Sequence, residues 1–304
     1  MKKCLNGGFL FAAAFNYFLL FIVFLTFTDE ARMALPLAAG ALVILYVLAL
    51  TPIVDWYYRM ILELREPNTV EGERLKRVWK TVCNRAEKAS VLVKKSIRLY
   101  VSDEDGLNAF AAGTRTIAVH RELLSNYISD EEIAGVLAHE LAHHVHGDTT
   151  SLLMSLQGTV IFGIMRIFLK AIFWMVSAII AFVLAFIGFM ATDGNLEDGI
   201  GWYKIVNYII DKISGIIDLF LAGIASLETM ISRFFARQQE FAADEFSGML
   251  GYADGLIIYC RRHAEETKLN KLSVEYLLYG THPPVEERIT RLQKIYQIEK
   301  QTKQ

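Results

Sequence analysis

The chain opens with two apolar runs separated by a short polar break. Leu5 to Thr28 carries no charge over 24 residues, and Met33 to Val54 carries none over 22. Each run is long enough to cross a hydrocarbon core of roughly 30 Å as a helix. The first has no clear small-x-small cleavage site and a second follows at once, which argues against a cleaved leader. A third charge-free run covers Ala171 to Thr192, while Arg166 and Lys170 interrupt the apolar stretch before it, so one crossing is predicted. The stretch from about Tyr203 to Leu227 is weaker. It carries Asp211, Lys212 and Asp218, which are unfavourable in lipid unless they face protein or water.

Between these runs the pattern changes period. Asn68 to about Ala89 reads as a helix, with Asn68 as its cap and Glu71 three residues later. Ile97 to Asp103 alternates like a strand. Two short apolar runs, Asn108–Ala112 and Thr116–His120, meet around Gly113 and predict a hairpin. Ser129 with Glu132 is a second capping-box pattern, and Asp130, Glu131 and Glu132 complement the helix dipole in the first turn. Ile133, Val136, Leu137 and Leu141 recur at helical spacing, and Gly147 is a stop. The predicted helix runs from about Asp130 to His146.

That helix holds four of the chain's seven histidines. His139 and His143 are four apart, on one face. Glu140 lies between them, completing H-E-x-x-H. Two imidazoles at this spacing can share a metal, and the intervening glutamate can take a proton from a water there. His144 and His146 point elsewhere. Two histidines leave a catalytic zinc one protein ligand short. A hundred residues on, "ISRFFARQQEFAADEFSGML" places Glu240 and Asp244 four apart on a helical pattern. Glu240 can be offered to the metal and Asp244 to the outer N–H of a histidine. Without the two histidines the same pair would read as a solvated acidic face. His139, His143 and Glu240 must then lie on one side of the membrane. The crossings between them must be even in number, which makes the 203–227 stretch a span whose charges face the bundle or a wet cavity.

Composition agrees with a membrane protein: the 304 residues are 54% hydrophobic, with a mean hydropathy of +0.33. A net charge of -2 without a basic stripe excludes general nucleic-acid binding. Cys4, Cys83 and Cys260 are far apart, so no disulfide framework is predicted, and a reducing compartment fits the part outside the membrane. Lys2 and Lys3 precede the first run, Arg59 and Arg65 follow the second, and only "DEAR" lies between. The basic side is normally cytoplasmic, so both termini and the large middle segment are expected there. The expected organisation is two spans in 1–54, a first segment outside the membrane with the H-E-x-x-H helix in 55–150, a membrane hairpin in 151–230 (spans about 171–192 and 203–227), and a second segment outside the membrane with Glu240 in 231–304.

Four stretches carry a resemblance: "HELAHHVHGD" (His139–Asp148), "RQQEFAAD" (Arg237–Asp244), "LNAFAAG" (Leu107–Gly113) and "THPPVEERITRL" (Thr281–Leu292). In these the chain resembles the HtpX-type branch of the membrane zinc metalloproteases, relatives of the CAAX prenyl endopeptidase. With the four-span layout the resemblance covers nearly the whole chain. It implies a multi-pass α-helical membrane protein with a cytoplasmic α+β zincin (gluzincin-like) protease domain and one Zn2+ per chain. It implies cleavage of misfolded or damaged membrane proteins at the cytoplasmic face, in the cell (inner) membrane. Polypeptide substrates and the bilayer are the expected partners, with no nucleic acid. In the resemblance His139, His143 and Glu240 hold the metal, and Glu140 is the catalytic base. His282 and Arg288 are catalytic helpers, and Asp244, Asp148 and Arg237 support the ligands. Asn108, Ala109, Phe110 and Ala111 form a sheet edge to which an extended substrate adds as a strand. On their own, His282 reads as a loop residue before Pro-Pro, Arg288 as a surface ion pair, and Arg237 as either a carboxylate partner or a side chain snorkelling at the membrane edge. One departure follows Glu240, where "FAADEFSGML" is bulkier and more acidic than in relatives. Two other readings stay open: a narrow-specificity CAAX-type processing protease, and a non-enzymatic scaffold with a structural metal.

Overall fold

The computed structural model describes residues 7–28, 30–191, 196–269 and 283–302. It divides into two compact units. One comprises residues 1–14, 40–155 and 232–304, and the other comprises 15–39 and 156–231.

The first unit carries all the predicted chemistry. After helix α2 (Ala31–Ala49), Thr51 and Pro52 start helix α3 (Pro52–Ile61), with Pro in the first turn where no donor is lost. Helix α4 (Thr69–Lys88) begins at a closed capping box: Asn68 Oδ1 accepts from the Glu71 amide, and Glu71 accepts from the Asn68 amide. Strands β1 (Arg98–Ser102), β2 (Ala109–Ala112) and β3 (Thr116–His120) form a sheet in the order β1-β3-β2. β1 runs parallel and β2 antiparallel to β3, so β2 is an edge strand. Gly113 sits in the β2–β3 turn at φ 60°, a conformation favoured by glycine.

Helix α5 (Asp130–His146) runs through the centre of this unit, and twelve of its seventeen residues are buried. Its capping box at Ser129 and Glu132 is closed, and it stops at Gly147 with φ 82°, in the left-handed region. Arg74 of α4 fixes its start by donating to the carbonyls of Leu124 and Ser125 and to Asp130. The end of helix α7 (Leu196–Met249) and helices α8 (Ala253–Leu269) and α9 (Val285–Thr302) complete the core with Ala243, Phe246, Leu256, Ile257 and Leu292. Ser247 of α7 donates to the Gly135 carbonyl of α5 at 2.9 Å. Helices α5 and α8 cross closely enough that a Cβ on Gly135 would lie 2.7 Å from the Leu256 amide nitrogen.

The second unit is helical. It includes parts of α1 (Gly7–Thr28) and α2, most of α6 (Asp148–Ala191) and the first part of α7. Among the described residues three helical stretches are long and apolar enough to cross a membrane: Phe9–Thr28, Ala31–Ala49 and Arg166–Ala191. The third takes in most of the charge-free 171–192 run, and α6 is one continuous helix that carries Arg166 and Lys170 within it. The 203–227 stretch is part of the helix α7. Its Asp218 pairs with Lys170 at 2.7 Å and Arg166 at 3.2 Å, so this charge faces a neighbouring helix.

Candidate metal centre

Helical spacing puts His139 and His143 on one side of α5, with their rings edge-on at 5.0 Å. The end of α7 brings Glu240 to both. Its carboxylate oxygens lie 3.4 Å from His139 Nε2 and 3.5 Å from His143 Nε2. These three ligand groups form the cluster suited to a metal ion among the described residues.

Each imidazole has a carboxylate behind it. Asp148 accepts from His143 Nδ1 at 3.0 Å, across the left-handed turn that Gly147 provides. Asp244 Oδ1 lies 2.9 Å from His139 Nδ1, off the line of a straight hydrogen bond. Such partners place the ring proton on Nδ1 and leave Nε2 as a lone-pair donor. Asp244 in turn receives a two-pronged bond from Arg288 of α9, Nε to Oδ2 at 2.9 Å and Nη2 to Oδ1 at 2.7 Å.

The charges follow from this layering. Burial raises Asp244, but Arg288 and His139 outweigh it and hold the carboxyl down at about 2. Burial lowers His139, yet Asp244 and Glu240 raise it to about 10, and His143 is raised by Asp148 and Glu240 in the same way. A pocket that draws a proton this strongly also favours a metal cation.

The donor set fits zinc. Two Nε2 lone pairs and a carboxylate converge with no hydrogen-bond donor among them, an arrangement only a proton or a cation relieves. A metal bound tetrahedrally at roughly 2.0–2.1 Å needs its ligand atoms about 3.3–3.4 Å apart. The observed 3.4 and 3.5 Å, each to a different oxygen of Glu240, are near that spacing, and one ligand atom from each of the three residues lies within 4.8 Å of the others.

Glu140 is buried and lines a cavity of about 50 Å³ with His139. Asn108 and Ala109, at the start of the edge strand, line it too, so the β2 edge and the His139–Glu140 face share one space. Phe110 and Ala111 continue β2, with Phe110 packed edge-on to His120. Arg288 lines the cavity but commits its guanidinium to Asp244. It is buried, where the motif alone suggested a surface ion pair. Arg237 is exposed, on α7 three residues before Glu240. His282 lies outside the described residues. His144 and His146 stay out of the cluster: His144 Nε2 donates to the Thr116 carbonyl at 2.9 Å, and His146 stacks edge-on to Phe246. The sequence reading missed the far wall of the cavity, made by Leu256, Tyr259, Cys260 and His263 of α8 with Val285 of α9. The available signal was the apolar run "GLIIYC" on a helix that otherwise reads as solvated.

A match to Peptidase family M48 extends over residues 71–296. The protease HtpX of Shewanella frigidimarina (strain NCIMB 400) is 29% identical over 230 residues, covering 70% of this chain and 71% of that protein. The protease HtpX of Shewanella halifaxensis (strain HAW-EB4) is 30% identical over the same shares. Against the crystal structure of S. mikatae Ste24p, 96% of this chain aligns at 17% identity with a TM-score of 0.43. The chain spans 64% of that protein, less than two thirds of its length. The family match takes in α5, the end of α7 and Arg288 of α9, the elements that build the centre described above, and the chain belongs to peptidase family M48.

Proposed function

We propose that the chain is a multi-pass membrane zinc metalloendopeptidase with a cytoplasmic α+β zincin domain. In this reading it cleaves misfolded or damaged membrane proteins at the cytoplasmic face of the cell membrane. The observation that carries it is the convergence of two carboxylate-backed imidazoles and Glu240 beside buried Glu140.

His139, His143 and Glu240 would hold the zinc, which when bound polarises a peptide carbonyl and lowers the pKa of water toward about 7. The residues of the chain do the rest. Asp148 and Asp244 hold the imidazole tautomers. Arg288 keeps Asp244 ionised and in place. Glu140 takes the proton of the attacking water and returns it to the leaving amine. Asn108, Ala109, Phe110 and Ala111 present an edge on which an extended substrate pairs as an added strand, its scissile bond reaching the cavity that Asn108 and Ala109 share with Glu140. The even-crossing requirement supports a fourth span in 203–227, with Asp218 neutralised by Arg166 and Lys170.

The test is Glu140→Gln. The variant is expected to keep stoichiometric zinc and to lose casein cleavage by a factor of about 10²–10⁴, the usual worth of a general base. Unchanged cleavage by pure, metal-loaded variant protein would remove Glu140 from the mechanism.

A further inference from the structure

Helix α3 is inside out for a helix on a water-surrounded domain. Ile53, Trp56, Tyr57 and Met60 follow the i, i+3, i+4, i+7 spacing of one apolar face, and they point outward with 67%, 56%, 50% and 53% of their surface exposed. The opposite face carries the charges and turns to the protein. Asp55 is 6% exposed. One of its oxygens accepts from the amides of Thr114 at 2.8 Å and Arg115 at 3.2 Å, and the other accepts from the Thr114 hydroxyl at 2.7 Å. Arg59 donates to the Tyr100 hydroxyl at 2.6 Å, with its guanidinium over the ring. These contacts lock the rotation of the helix, so the apolar stripe cannot roll inward.

The chain itself indicates what covers the stripe. Only Leu50 and Thr51 separate the apolar stretch Ala31–Ala49 from Pro52, so α3 begins where that helix would leave the hydrocarbon. Trp and Tyr favour that boundary, where an apolar ring body and a polar tip are both accommodated. The exposed Val70 and Leu92, away from α2 and α3, stand singly and form no stripe.

We propose that α3 lies along the cytoplasmic surface of the bilayer with Ile53, Trp56, Tyr57 and Met60 immersed between headgroups and acyl chains. Through Asp55 it grips the β2–β3 turn and fixes the edge strand at a set height above the lipid. The occupant of the stripe is lipid, and the bond network on the other face transmits the position to the sheet. The inference rests on the membrane reading of the Ala31–Ala49 stretch and extends the proteolytic reading by adding a membrane-seated support for substrate entry.

The experiment uses the full chain in vesicles of phosphatidylcholine and phosphatidylglycerol, with Cys4, Cys83 and Cys260 replaced by alanine. A nitroxide is attached in turn at positions 53, 56, 57, 60, 70 and 92. Labels at 53, 56, 57 and 60 are expected to collide with oxygen in preference to a water-soluble nickel complex, and labels at 70 and 92 to show the reverse. Nickel collision on α3 matching that at position 92 overturns the proposal. Labels shielded from both reagents also overturn it, since protein would then cover the stripe. Four positions guard against one unfolded variant. As a second readout, Trp56→Glu with Met60→Glu is expected to lower cleavage of a bilayer-inserted substrate relative to casein by about tenfold. Loss of one apolar anchor, roughly 1.5–3 kcal/mol, corresponds to at least that factor. An unchanged ratio overturns the positioning role. Absence of casein cleavage by the unmodified protein would instead count against the proteolytic reading, leaving the nitroxide result intact.

Discussion

Asp148 and Asp244 each stand behind one imidazole, yet they are held differently. Asp244 is buried and gripped by Arg288, while Asp148 is fixed through the turn at Gly147. Asp148→Asn and Asp244→Asn are each expected to weaken zinc binding by about 10–100-fold, the usual effect of losing a carboxylate behind a liganding histidine. Competition with a chromophoric chelator measures it. Arg288→Ala should behave differently because it leaves the buried Asp244 carboxylate without its two-pronged guanidinium partner, beside His139. Breaking such a pair removes roughly 3–5 kcal/mol of stability, which thermal unfolding in detergent would register. An Arg288→Ala protein with unchanged unfolding but weakened catalysis would move Arg288 to a direct role on substrate. At this scale the sequence was uneven. His139, Glu140 and His143 are readable because one helix fixes their spacing, and Asp244 because it follows Glu240 by one turn. The Arg288–Asp244 pair joins residues 44 apart on different helices, and nothing local to either encodes it. Asp55, the first charge after an apolar run, is buried through contacts with residues about 60 positions away, which nothing local to it encodes.

Elements were more legible than their assembly. Capping boxes at Asn68 and Ser129 and the stop at Gly147 are local chemistry, so the limits of α4 and α5 follow from a few adjacent residues. The strand segments and their hairpin are likewise written in alternation and turn residues. The parallel pairing of β1 with β3 is not, because the register Arg98–Thr116 is set by what packs on the sheet from elsewhere in the chain. The same holds for the α5–α8 crossing, which isolated glycines betray only after the helices are seen together. A Cβ on Gly255 would fall onto the Glu131 carbonyl of α5, and backbone cannot rotate away as a flexible side chain can. Gly255→Ala is therefore expected to push α8 from α5 and destabilise this unit by about 1–3 kcal/mol, the usual range for overpacking a core. It should also open the cavity wall that Leu256, Tyr259 and Cys260 provide. Gly215→Ala, at a position with open space around it, is the matched control. Equal unfolding midpoints for the two variants would mean the crossing tolerates the extra carbon.

At the scale of the whole molecule, the chemistry constrains the path of the chain. Helix α6 leaves one residue after the stop of α5, and α7 ends by delivering Glu240 back to the histidines. With 44 and 54 residues, the two helices are about 66 and 81 Å long at 1.5 Å per residue, each well beyond a roughly 30 Å hydrocarbon core. Hydropathy supports a crossing in α6, while Asp211, Lys212 and Asp218 weaken the case for 203–227 of α7, and a single crossing would strand Glu240 on the far side from its partners. If 203–227 returns through lipid, as proposed, the pairing of Asp218 with Arg166 and Lys170 is what makes its charge tolerable there. Cysteine labelling in intact cells tests the path directly, in a background lacking the native cysteines. Ala31→Cys and Ala191→Cys are expected to react with a membrane-impermeant maleimide from outside. Glu104→Cys, on the exposed loop after β1, should react only after the membrane is opened. If position 191 is also protected until permeabilisation, α6 does not cross. The stretch 203–227 then becomes a surface helix, and His139, His143 and Glu240 meet without any passage through the bilayer between them.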